Sequence, residues 1–269
     1  MQLYFPGTQF QGGLKVIIDP SQDGLMAFSL LKLNNKDFYA GESGDYEIAF
    51  VILSGQADLM VDGKIYSRLG QRNNVFSGRS TTIYIPRSSK YQVSALTDNF
   101  EAALCQVRAD KKYSPFVVLP EEVVVNHRGT QHWQRDVHDI IVDNGEGKVD
   151  RIVVGETYSA PGNWSSFPSH KHDRHQPPEE TELLEIYHFR MEPVNRFSVQ
   201  LLYTEDGMVN EAFIIRDKDT FKIPYGYHPV AAPPGVRLYY LWFLAGNHGR
   251  QMIPYDDPAF SELRNLEIA

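Results

Sequence analysis

The apolar runs of this chain are short, and most end at proline, glycine or aspartate. Residues 46–53 form a β-rich run closed by Ser54-Gly55. Residues 57–63 alternate polar and apolar side chains into a turn, and residues 81–85 stop at Pro86. Such punctuation favours many short strands of period two over long helices. A chain of 269 residues built this way closes its strands into barrels or jelly rolls. A sustained helical period occurs mainly over residues 258–266. The longest apolar run, residues 238–245, is far short of a membrane span. The expected class is all-β, with few short helices.

The plan is written twice. Glu185-Ile186-Tyr187-His188-Phe189 echoes Glu47-Ile48-Ala49-Phe50-Val51, and the stretch from Ile223-Pro224 to His228 echoes that from Ile85-Pro86 to Lys90. This predicts two tandem jelly-roll barrels. One covers residues 1–118, and the other covers 119–269 together with a crossover segment near 111–147. By this alignment the first copy keeps a glutamate, Glu47, but has no His-x-His before it. It also carries Lys90 where the second copy has His228. An ammonium cannot replace a neutral imidazole as a ligand, so the first barrel is expected to be metal-free.

The chemistry gathers in the second copy. His170-Lys171-His172 on a strand puts two imidazoles on one face, because side chains alternate. Taken alone that pair is as often a surface feature as a metal site. Glu185 at the head of a β-rich run, and His228 behind a Pro-x-Gly turn, can close a coordination shell from neighbouring strands. Three imidazoles and a carboxylate suit a divalent transition ion with open positions, zinc first, with manganese or iron as alternatives. Glu182 competes with Glu185 but sits in an acidic loop, and His175 is the spare imidazole nearby. Such an ion keeps a residual positive charge and suits an anionic small molecule as partner. Nucleic acid does not fit, since the net charge is −8 and no basic run exceeds Lys111-Lys112. The single cysteine, Cys105, and an N-terminus without a secretory pattern predict a cytoplasmic protein with no membrane partner. Apolar edge strands predict pairing with a second copy into a homo-oligomer. No nucleophile elbow or phosphate loop competes with the metal reading.

Around these ligands the chain resembles the 5-deoxy-glucuronate isomerase family of bacterial inositol catabolism. The resemblance is carried by residues 156–166, by Pro168-Ser169-His170-Lys171-His172-Asp173 and by Leu184-Glu185-x-Tyr187. Gly226-Tyr227-His228-Pro229-Val230 and Tyr239-Tyr240-Leu241 complete it. It implies two fused cupin barrels with metal in the second. The implied reaction is an aldose–ketose isomerisation of a sugar acid, 5-deoxy-glucuronate to 2-deoxy-5-keto-gluconate. One departure is His188 after Tyr187, where the family pattern has a second tyrosine. Carried onto residues, the resemblance gives His170, His172, Glu185 and His228 to the ion. Tyr187 would hydrogen-bond the enediolate oxygen. Arg190 would grip the substrate carboxylate, although its spacing from Glu185 is odd. Three rival activities share the ligand logic: a 5-keto-4-deoxyuronate isomerase, a cupin dioxygenase and a non-catalytic sugar-binding cupin. The long insertion between His172 and Glu185 favours the inositol branch.

Overall fold

The computed structural model describes residues 2–22 and 24–266. Strands make up about half of it, joined by turns and short 3-10 segments. The helical period near the C-terminus forms one of these segments, Ser261–Leu266. No described helix is long and apolar enough to cross a membrane.

The chain divides into two compact units, but not at residue 118. One is Gln9–Val124 with Asp139–Val154; the other is Met1–Thr8 with Val125–His138 and Gly155–Ala269. The expected division into 1–118 and 119–269 therefore misassigns both ends of the crossover and the N-terminus. Tyr4–Phe5 pairs with the strand Thr220–Ile223 of the C-terminal unit. Asp219 fixes this edge by accepting hydrogen bonds from Tyr4 Oη and Gly7 N, each at 2.6 Å.

In the N-terminal unit a six-stranded sheet runs in the order Phe116–Val118, Thr81–Ile85, Tyr46–Ser54, Phe100–Arg108, Met26–Leu33, Gly13–Ile18. A four-stranded sheet is ordered Phe38–Glu42, Lys90–Ala95, Ala57–Val61, Lys64–Leu69. Each sheet turns an apolar face toward the other, and the central strands of the six-stranded sheet are buried on both faces. Ile48, Phe50 and Ile52 from the first sheet share a buried cluster with Leu59, Val61, Tyr91 and Val93 from the second. Each such side chain contributes roughly 1.5–3 kcal/mol through burial.

The C-terminal unit has the same plan. Its large sheet has Leu184–Glu192 between Thr220–Ile223 and Arg237–Ala245, followed by Val153–Ser159, Arg135–Ile141 and Val124–Arg128. A four-stranded sheet is ordered Trp164–Ser165, Val230–Ala231, Ser198–Tyr203, Asn210–Ile215. The strand His170–Lys171, which falls in sequence between Trp164–Ser165 and Leu184–Glu192, pairs with Tyr255–Asp256.

Strand register corrects the reading of the duplication. Ile48 pairs with Ile85, and Glu185 pairs with Ile223. If Ile85 and Ile223 correspond, the counterpart of Glu185 is Ile48 and not Glu47. A slip of one residue turns every side chain to the other face. Glu47 accordingly points away from the apolar cluster. It accepts hydrogen bonds from the backbone N–H groups of Asp150, Arg151 and Ile152 (2.9, 2.7 and 2.8 Å) and from Tyr84 Oη (2.8 Å). Lys90 is likewise on the outside, with its side chain 84% exposed and 3.6 Å from Glu42, while Tyr91 fills the interior. Ile48 and Tyr91, rather than an ammonium, occupy the inward positions.

Candidate metal centre

Glu185 lies near the start of the strand Leu184–Glu192, and alternation places Glu185, Tyr187 and Phe189 on its inner face. His172 follows the strand His170–Lys171, and His228 precedes the strand Val230–Ala231. One ligand atom each from His172, Glu185 and His228 lies within 4.8 Å of the others, and all three residues are buried. His172 Nε2 is 3.2 Å from Glu185 Oε2, and His228 Nε2 is 3.4 Å from the same oxygen. His170 stands beside this triplet rather than in it. It is partly exposed, with its ring centroid 5.0 Å from that of His228 and 6.3 Å from that of His172.

Backbone carbonyls set the tautomers. His170 Nδ1 donates to Pro168 O (2.9 Å), His172 Nδ1 to Leu183 O (2.7 Å) and His228 Nδ1 to Gly226 O (2.8 Å). A carbonyl can only accept, so in each neutral ring the proton is on Nδ1 and the lone pair is on Nε2. Two such lone pairs aimed at one carboxylate repel it unless a cation lies among them. His228 Nε2 is buried with no hydrogen-bond partner among the described residues. Burial opposes ionisation of Glu185, but hydrogen bonds and positive charge from His172 and His228, which need a proton on the facing Nε2, outweigh burial and hold its pKa down to about 2. For His172, burial favours the neutral ring, but Glu185 outweighs burial and raises the pKa. Burial and the neighbouring imidazoles push His170 well below the ordinary histidine range. The set fits a divalent ion, which can take the lone pairs and the carboxylate together.

The insertion after His172 is folded as a brace. Lys171 points away from its flanking histidines and is buried, with Nζ 2.9 Å from Asp173 Oδ1 and 2.7 Å from Glu180 Oε2. Asp173 Oδ2 accepts the backbone N–H of Gly226 at 2.8 Å. Glu180 Oε1 accepts those of Asp173 (2.6 Å) and Arg174 (3.0 Å). The network thus connects the turn carrying His228 to the segment carrying His172. His175 and Glu182 are engaged elsewhere. His175 stacks on His248 at 4.0 Å, and His248 Nε2 is 3.6 Å from Glu182 Oε2.

Hydroxyl groups continue the inner face. The Tyr187 and Ser166 hydroxyls are 2.7 Å apart, and the Tyr187 ring lies 6.1 Å from His228 and 4.6 Å from Tyr240. The Tyr240 hydroxyl pairs with that of Ser165. Burial, reinforced by the charge of Glu185, raises the Tyr187 pKa well above that of a free phenol, and burial raises that of Tyr240. Both therefore stay protonated at neutral pH. Ser166 holds a left-handed backbone, with φ 49°.

Arg190 is the expected site residue that the fold sends elsewhere. With His188 it occupies the face opposite Glu185 and Tyr187, and its guanidinium meets the His188 imidazole. His188 Nδ1 lies 2.9 Å from Thr220 Oγ1, and burial followed by the Arg190 and Lys218 charges lowers its pKa strongly. Arg190 is buried there, not turned to solvent. Sequence reasoning gave no roles to Ser165, Ser166 and Tyr240. The one available signal for Tyr240 was alternation along Arg237–Ala245, where it pairs with Phe189.

A family model described as KduI/IolB family matches residues 4–263. A 5-deoxy-glucuronate isomerase of Geobacillus thermodenitrificans is 34% identical over 87% of this chain and 85% of its own length. One from Bacillus subtilis (strain 168) is 32% identical over 86% of this chain and 85% of its own length. Among solved structures, an IolB-like protein from Salmonella typhimurium LT2 superposes with a TM-score of 0.91 at 30% identity, over 98% of this chain and 100% of that one. Lactobacillus farciminis oxalate decarboxylase superposes with a TM-score of 0.68 at 10% identity, over 95% of this chain and 88% of that one. That last likeness places the chain among cupin-like folds.

Proposed function

From a chain that belongs to the KduI/IolB family and is an isomerase, we propose that the substrate is 5-deoxy-glucuronate, converted to 2-deoxy-5-keto-gluconate in inositol breakdown. A divalent ion held by His172, Glu185 and His228, with His170 as the fourth ligand, serves the reaction. The observation that carries this reading is the buried carboxylate faced by imidazole Nε2 atoms whose Nδ1–H groups are tied to backbone carbonyls.

The reaction is redox-neutral within the sugar. One proton leaves the carbon bearing the hydroxyl and another arrives at the aldehyde carbon, while a proton moves from one oxygen to the other. The ion would polarise the carbonyl and acidify the adjacent hydroxyl. Tyr187 supplies a phenol that burial and Glu185 keep protonated, suited to donating a hydrogen bond to the oxygen on which charge develops. Ser166 fixes the direction of that phenol and offers the next oxygen in line. Glu185, held ionised and committed to the imidazoles, is not the proton carrier.

Elemental analysis of the purified protein, followed by assays on 5-deoxy-glucuronate and on 5-keto-4-deoxyuronate with dissolved oxygen monitored, tests the proposal. The expected result is stoichiometric divalent metal, turnover of the first sugar acid lost on chelation and restored by metal, and no oxygen uptake. Turnover of only the second substrate would reassign the pathway. Oxygen consumption, or turnover indifferent to the metal, would overturn the mechanism.

A further inference from the structure

We infer that Gln200 is a specificity-determining residue of this centre. Its side-chain oxygen accepts a hydrogen bond from a substrate hydroxyl next to the carbons held by the ion. The inference rests on the sugar-acid reading of the site and goes on to name the group that selects among hydroxylated ligands.

Strand register places Gln200 inside the C-terminal barrel. On the strand Ser198–Tyr203, buried Ser198, Gln200 and Leu202 alternate with half-buried Val199, Leu201 and Tyr203. Gln200 pairs with Val230, and Val230 pairs with Ser165, so the three form one row across the sheet. His228 stands two residues before Val230, and the pairing of Tyr203 with Tyr227 continues the ladder to it. The amide touches this ligand's own backbone. Gln200 Nε2 donates to His228 O and to Leu201 O, each at 2.9 Å. Carbonyls only accept, so these contacts fix which way round the amide lies and engage both of its protons. Oε1 is buried with no hydrogen-bond partner among the described residues.

The other barrel shows that the fold does not need this amide. Leu59 pairs with Val93, two residues after Tyr91, as Gln200 pairs with Val230, two residues after His228. Tyr91 is the inward counterpart of His228, so the counterpart of Gln200 is Leu59, a member of the apolar cluster. An amide placed where a leucine packs leaves an acceptor out of reach of water, which is destabilising until a donor meets it. A carbonyl or a carboxylate is itself an acceptor and cannot be that donor, whereas a hydroxyl can. Sugar acids carry hydroxyls along the carbon chain beyond the pair that reacts. With the reacting pair at the ion, the amide beside His228 meets the next part of that chain.

If Gln200 only braced the His228 turn, its loss would weaken every ligand alike or release the metal. Recognition of one hydroxyl predicts a selective loss instead. Calorimetric titration of the metal-loaded full chain with D-glucuronate and with its 3-deoxy and 4-deoxy analogues reads the difference. Wild type should bind D-glucuronate on the order of tenfold more tightly than one of the two analogues, the worth of one hydrogen bond. Gln200→Leu copies the other barrel, and Gln200→Met keeps the length of the side chain. In both the preference should vanish, because D-glucuronate falls to the affinity of that analogue while the analogue itself is nearly unchanged, with metal content as in wild type. The assignment is overturned if both analogues bind wild type as tightly as D-glucuronate, or if the preference survives in the variants. It is equally overturned if the variants weaken all three probes alike or lose the metal. A preference abolished in the variants of a protein that turns over neither sugar acid would sustain the hydroxyl site and remove the proposed substrate alone.

Discussion

Gly226 shows how tightly one residue constrains the centre. Its φ is +81°, and an added Cβ would lie 2.8 Å from Tyr203 O, while its own carbonyl receives His228 Nδ1–H. Gly226→Ala is expected to lower stability by about 1–3 kcal/mol through strain. It should also lose bound metal, since His228 must move with the turn; thermal melts and metal content measure the two effects. Tyr187 bears on chemistry instead. Tyr187→Phe deletes the donor and leaves the ring packed against Tyr240. Its kcat should fall about 100-fold or more, the usual scale for a lost proton donor, with metal content unchanged. Ser166→Ala should lose less, because the phenol remains but is no longer directed. A Tyr187→Phe protein of normal kcat would exclude the phenol from the reaction.

Two elements decide which side chains meet. The strand Leu184–Glu192 sorts its residues by parity alone, so Glu185 and Tyr187 reach the centre while His188 and Arg190 form a separate buried pair. The second element is the insertion braced by Lys171, Asp173 and Glu180, whose pH response can be stated. Burial opposes ionisation of Asp173, but the Gly226 N–H and the Lys171 ammonium outweigh it and hold the carboxyl below its usual range. A depressed folded pKa contributes stability that is fully present above the unfolded value of about 3.9 and is lost as pH falls through the lower folded value. Asp173→Asn should therefore melt earlier than wild type at pH 7. The gap should narrow as the pH is taken down through the acid range below about 4. A gap that is constant with pH would show that the Asp173 charge contributes nothing to the brace.

At the scale of the whole molecule, one plan is built twice and given two interiors. The inward position opposite Ile85 is Ile48, and the one opposite Ile223 is Glu185. Ile48→Glu would put a carboxylate among Phe50, Val61 and Tyr91 without an imidazole to meet it. The expected cost is about 4 kcal/mol or more, a large part of a domain's stability, read from denaturant unfolding. A variant as stable as wild type would contradict the apolar interior. What the sequence determined unaided was whatever depends on local spacing: short strands cut by proline and glycine, the all-β class, and the choice of His172, Glu185 and His228, which the fold brings within reach of one another, as candidates to hold an ion. Parity along one strand is itself local, and it puts His188 on the face opposite Glu185. Register between strands, the exchange of residues 1–8 into the C-terminal unit and of 119–124 and 139–154 into the N-terminal one, and the gathering of Ser165, Ser166 and Tyr240 beside Tyr187 were decided only by tertiary structure. The reason is physical. Those relations arise from hydrogen-bond pairing and burial between residues far apart in the chain, and a slip of one residue, invisible in a sequence echo, turns a ligand position into core.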